Sequence, residues 1–152
     1  MIVGRAGRLD EAEAAVHKGL ELDPQFPWLQ TVLTRVYLAR SRPQEALAEA
    51  LSDPVPGYRL QGSALAYHAL GRKQESDRAL AELIAEHQAD GAFLIAEVYA
   101  FRGEADSAFL WLERAYKRRE ETITEMKGDP LRVSLERDPR YAAFLKKMRL
   151  PA

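Results

Sequence analysis

The chain contains no cysteine, which excludes a disulfide framework, a thiolate zinc site and a cysteine nucleophile. A cysteine-free chain fits a reducing compartment. No run approaches the ~20 apolar residues of a membrane-spanning helix. The opening Met1-Ile-Val-Gly-Arg-Ala-Gly-Arg8 lacks the apolar core of a secretory signal. A cytoplasmic location, away from membranes, is therefore expected. Net charge is equally scarce. The 22 Lys and Arg against 23 Asp and Glu leave −1, so no global field draws the chain to nucleic acid, which is not expected as a partner. The basic run Lys117-Arg118-Arg119 is followed at once by Glu120-Glu121 and reads as a solvated helix face.

The signatures of chemistry are missing as well. His17, His68 and His87 form no His-Glu-x-x-His pattern and have no carboxylates at metal-ligand spacing. No metal is expected. There is no phosphate loop, dinucleotide fingerprint or nucleophile elbow, so no cofactor is expected. Adjacent carboxylates such as Asp10-Glu11 diverge around a helix and make no acid/base pair. The chain is not expected to be an enzyme. No segment sustains period-two alternation, so no sheet is expected.

What is present is enough for a folded core. The 152 residues are 47% hydrophobic and 30% charged, a globular composition. Leu9, Ala12, Val16 and Leu20 recur at helical spacing over 9–22, and Asp23-Pro24 ends that run. Leu29, Val32, Leu33, Val36 and Tyr37 define a helix over about 27–40. Ser41-Arg-Pro-Gln44 reads as a capping box opening a helix at 43–52, with the Ser41 hydroxyl accepting from the Gln44 N–H. Asp53-Pro54-Val-Pro56-Gly57 stops it. Helices are expected near 58–70, 73–88, 91–102 and 105–119, then a short one from Leu131 to Glu136. Asp138 and Pro139 then open a last helix carrying Tyr141, Phe144, Leu145 and Met148 as one apolar stripe.

A small-residue mark recurs along these helices. Gly103 precedes Ala108, Gly71 precedes Ser76, Ser41 precedes Ala46 and Gly7 precedes Ala12, always by the same offset. The second members step by 34, 30 and 32 residues, close to the ~34-residue period of a tetratricopeptide array. The small residues allow close helix crossing, where a bulky side chain would overpack the core.

On these marks the chain resembles the tetratricopeptide repeat family over roughly residues 1–120. The last unit carries Ala92, Ile95, Ala96, Tyr99, Gly103, Ala108, Leu112 and Ala115. The third carries Leu60, Ser63, Ala64, Tyr67, Gly71, Ser76, Leu80 and Leu83, and the second Leu33, Thr34, Tyr37, Ser41, Ala46 and Ala50. The resemblance implies an all-α, right-handed solenoid of antiparallel helix pairs with a C-terminal helical cap. Its units would be 1–26 (partial), 27–56 (shortened), 57–90 and 89–122, with the cap over 123–152. The tail Asp129–Met148, which departs from the period, is similar to the closing segment of such regions in bacterial multidomain signalling proteins. Because Gly7 and Ala12 place Met1 inside a unit, the chain is expected to be the C-terminal piece of a longer protein.

The family's partners lie in the concave groove, lined by the first helix of each unit. Carried over, the groove residues are Trp28, Thr31, Arg35 and Leu38, then Tyr58, Gln61, Leu65 and His68, then Phe93, Glu97 and Phe101. The chaperone-tail clamp is not expected, because Thr31, Arg35, Gly62, Asp90 and Leu94 occupy its positions. The implied function is non-catalytic binding of a protein or peptide, as a scaffold within a signalling protein. The alternative is a homodimer formed through the incomplete first unit. A small-molecule sensor is a third reading.

Overall fold

The computed structural model describes residues 5–26, 29–119, 135 and 137–148. Among the described residues the regular structure is α-helical: α1 Arg5–Leu22, α2 Leu29–Ala39, α3 Pro43–Leu51, α4 Pro56–Ala69, α5 Lys73–His87, α6 Ala92–Phe101, α7 Ala105–Lys117 and α8 Pro139–Lys147. The chain forms two compact units, Met1–Ala79 and Leu80–Ala152, and the division falls within α5.

In the first unit α1 packs on α2, α2 on α3, α3 on α4, and α2 also on α4. Leu33, Val36 and Tyr37 lie three and four residues apart on α2, and all are buried. The helices packed on α2 carry small residues. Ala46 and Ala50 on α3 are fully buried. A Cβ built on Gly62 of α4 would lie 2.8 Å from Ala50 Cβ and 3.4 Å from Thr34 Cγ2. Glycine is needed there for close approach, since little room remains for a methyl group.

The marks at Ser41, Gly71 and Gly103 are one backbone device used three times. Each residue has positive φ, at 58°, 76° and 77°. The N–H of the next residue donates back five residues at 2.9 Å each time: Arg42 to Tyr37, Arg72 to Tyr67 and Glu104 to Tyr99. The turn residue donates back three, to Leu38, His68 and Ala100. This is the Schellman closure of a helix end. Five residues after each turn stand Ala46, Ser76 and Ala108, all fully buried. Serine is accommodated at 76 because its hydroxyl donates to the Ala64 carbonyl at 2.8 Å.

Two expectations at the helix starts are corrected. Ser41 does not cap α3. It occupies the left-handed turn position, and Arg42 is the N-cap residue with no side-chain cap bond. The Arg42 guanidinium instead pairs with Glu45 and lies 4.7 Å from the Tyr37 ring centroid. At Gly7 there is no turn, because α1 runs through it from Arg5 to Leu22. Glycine adopts helical angles as readily as positive φ when nothing demands the latter. Correspondingly, Ala12 is only half-buried, unlike Ala46, Ser76 and Ala108.

The irregular joint over 53–57 is held by one carboxylate. Asp53 is buried, and its Oδ2 accepts from Thr31 Oγ1 at 2.6 Å. Its Oδ1 accepts from the Val55 N–H at 3.0 Å, and its carbonyl accepts from Arg59 Nη1 at 3.0 Å. Pro56 and Gly57 do not merely end α3. They form the first turn of α4, with Pro56 in the position where a missing N–H costs nothing.

In the second unit α6 packs on α7. Helix α6 is apolar apart from Glu97 and the Tyr99 hydroxyl, and Ile95, Ala96, Val98 and Ala100 are buried. Ala108, Trp111, Leu112 and Ala115 form the buried face of α7. Asp138 caps α8, accepting from the Arg140 N–H at 2.9 Å, with Pro139 in the first turn. Phe144 and Leu145 are buried, and Phe144 meets Tyr116 edge-on at 6.1 Å. Of the short helix expected over Leu131–Glu136, only Leu135 falls within the described residues, and it is buried.

Helix α8 pairs with α7 at a constant offset. Asp106 pairs with Arg140 at 2.8 Å and Glu113 with Lys147 at 2.5 Å, both across 34 residues. Two contacts with the same offset make α8 run parallel to α7, in register. The separation equals the interval between successive second helices of the resembled array.

Candidate functional site

The expected groove residues divide by burial. Thr31, Leu38, Gln61, Leu65, Phe93 and Glu97 are buried and offer no surface to a partner in this conformation. Thr31 is committed to Asp53 at the joint. Arg35, Tyr58, His68 and Phe101 are partly exposed. Trp28 lies outside the described residues. Because α2 packs on α4, Arg35, Tyr58 and His68 stand on two adjoining helices of the first unit. Phe93, Glu97 and Phe101 share α6 in the second unit. An alternating groove of apolar and polar contacts is thus reduced, in the first unit, to three partly exposed polar side chains.

The electrostatics around the first unit's outer helices are those of a structural surface. Glu13 of α1 reaches Arg40 at 3.3 Å and Arg42 at 3.5 Å. Burial, with Glu13 adding to it, pushes the Tyr37 phenol above its ordinary value. Burial also raises the Glu49 carboxyl, against the opposing pull of His17. Glu13 thus ties α1 to the α2–α3 hairpin. Among the described residues no cluster of three or more His, Cys, Asp or Glu is placed to hold a metal ion. No helix among them is long and apolar enough to cross a membrane.

A second concave feature has no counterpart in the sequence reading. Between α7 and α8 runs a groove of about 440 Å³. Phe109 and Leu110 line it on α7, and Ala143 and Phe144 line it on α8, each pair offset by 34 residues. The Asp106–Arg140 and Glu113–Lys147 pairs close its two ends. Arg140 also holds Asp138 through both carboxylate oxygens, at 3.0 and 2.7 Å, and lies 4.7 Å from the Phe109 ring centroid. Those hydrogen bonds hold the Asp138 carboxyl down at about 2. Lys147 lies 4.7 Å from the Tyr116 ring centroid. The signal that could have revealed this groove was opposite charges recurring at the repeat interval, Asp106 with Arg140 and Glu113 with Lys147.

Compared with family profiles, curated proteins and solved structures, the chain matches none. Its functional reading therefore rests on its own residues and geometry.

Proposed function

We propose that this chain is a non-catalytic helical-repeat module, of the tetratricopeptide kind, that binds a protein or peptide. The supporting observation is the threefold recurrence of one turn, at Ser41, Gly71 and Gly103, each followed by a fully buried small residue. A repeated helical unit that cannot bury its own apolar face gains stability by stacking on its neighbours, and it leaves extended surface for partners. A right-handed solenoid is the architecture this reading carries with it. Membership in a larger bacterial signalling protein, as the tail suggests, belongs to the same proposal.

The surface assigned to the partner is the α2–α4 face with Arg35, Tyr58 and His68. A cation, a phenol and an imidazole on adjoining helices suit an extended or helical peptide carrying acidic and aromatic anchors. The test is selection of a displayed random-peptide library on the immobilised chain, followed by calorimetry. Peptides enriched in acidic and aromatic residues are expected. An Arg35→Glu, His68→Glu double variant should weaken them at least tenfold while keeping its helical circular dichroism. Failure to recover any peptide, or equal binding by the double variant, defeats the assignment.

A further inference from the structure

Leu110 is 53% exposed, although its neighbours on α7 carry the second unit's core. It stands in the α7–α8 groove between two ion pairs that lie seven residues apart on each helix, or about 10 Å along the axis. The acids, Asp106 and Glu113, are both on α7, and the bases, Arg140 and Lys147, are both on α8. The face is therefore an acidic row beside a basic row, with an apolar window between them. Ala143 forms the small-residue side of that window.

We propose that this face docks on the same face of a second copy of the chain, about a two-fold axis parallel to α7 and α8. Such a rotation lays each α7 over the α8 of the other copy. Asp106 then faces Arg140 of the second copy, Glu113 faces its Lys147, and Leu110 enters the window beside its Ala143. A two-fold axis across the helices would stack acid on acid and base on base, which is repelled. A uniformly charged partner gains along one row and loses along the other. The second copy matches both rows by symmetry, as an isologous interface requires.

The exchange of partners is energetically easy. Exposed ion pairs contribute little to stability, so moving them from within one chain to between two costs little. Covering Leu110 and the apolar window supplies the favourable term. The window is small beside the ~1,200–2,000 Å² of a standard interface, so the dimer is weak, concentration-dependent and dispersed by salt. This surface is separate from the α2–α4 face and does not depend on the peptide-binding reading.

Sedimentation of the full chain from micromolar to millimolar concentration tests it. The wild type should form dimers that dissociate in high salt, and Leu110→Glu should remain monomeric with unchanged helicity. A wild type that stays monomeric throughout, or a dimer indifferent to Leu110→Glu, overturns the proposal. The axis is tested by cross-linking, because the chain has no cysteine of its own. An oxidised mixture of Glu113→Cys and Lys147→Cys chains should yield mainly the mixed disulfide dimer. Preferential linkage of Glu113→Cys chains to one another would place acid on acid and refute the geometry.

Discussion

In the first unit the chain turns between α2 and α3 at Ser41, with φ of 58°, and in the second it turns between α6 and α7 at Gly103, with φ of 77°. The hydrogen bonds are the same at both turns, and so is the buried alanine five residues later. The chemistry differs. After Ser41 comes Arg42, stacked on Tyr37, whereas after Gly103 comes Glu104, paired with Arg102 at 2.8 Å. The backbone device thus tolerates a serine and either sign of charge. What does not vary is the small buried residue at 46 and 108. The buried crossing, rather than the turn's residue type, defines the repeated unit.

The strongest way to break this equivalence is at the crossings. Ala108→Trp and Ala46→Trp should each cost about 3 kcal/mol or more by overpacking. Ala12→Trp, at the half-buried position in α1, should cost under about 1 kcal/mol. Urea unfolding measures all three, and equal costs at 12 and 108 would erase the distinction between α1 and the later helices. The joint at Asp53 has no counterpart at either turn. Asp53→Ala should cost about 2–3 kcal/mol, because it strands the Thr31 hydroxyl and the Val55 N–H.

Smaller effects sharpen the turns themselves. Gly103→Ala should lose ~1–2 kcal/mol and Ser41→Gly should gain about 1 kcal/mol, since a side chain at positive φ is strained. Thermal unfolding of the pair should therefore shift in opposite directions. The least effect concerns α8. The Asp138 carboxyl lies below its ordinary 3.8, at about 2, because Arg140 bonds to it. A depressed carboxyl contributes stability that is present above pH 3.8 and is lost as pH falls toward 2. Acid titration followed at Trp111, and compared with Asp138→Asn, should show a small loss confined to that window.

Much of the helix order was legible because it is written in local bonds. Each turn at 41, 71 and 103 closes within six residues, so the glycines at 71 and 103 were enough to place their turns. Proline at 43 and 139 marked helix starts for the same reason, whereas Pro56 read as part of a stop and proved to open α4. The cap on α8 was likewise legible in Asp138-Pro139. The misreading at Gly7 has the converse cause: the glycine permits a turn but does not compel one. Ser41 was misread because a capping serine and a left-handed serine look alike before proline, and Arg42 with Glu45 settles the geometry there.

The candidate site was less legible, since accessibility is a property of neighbours. The family resemblance put Thr31, Gln61 and Glu97 beside Arg35 and His68 on one list, and packing then separated them. Nothing within reach of Thr31 along the chain announces Asp53, which lies 22 residues away.

From the amino-acid order alone came the all-helical character, the turns at Gly71 and Gly103 and the small residues that follow them. These depend on backbone angles and hydrogen bonds closed within a turn or two. Tertiary structure alone decided which polar side chains are buried, that Asp53 anchors the irregular joint, and that α8 runs parallel to α7 with Leu110 exposed between two ion pairs. Those outcomes depend on side chains 22 and 34 residues apart, whose pairing is selected by packing and desolvation rather than by local conformation.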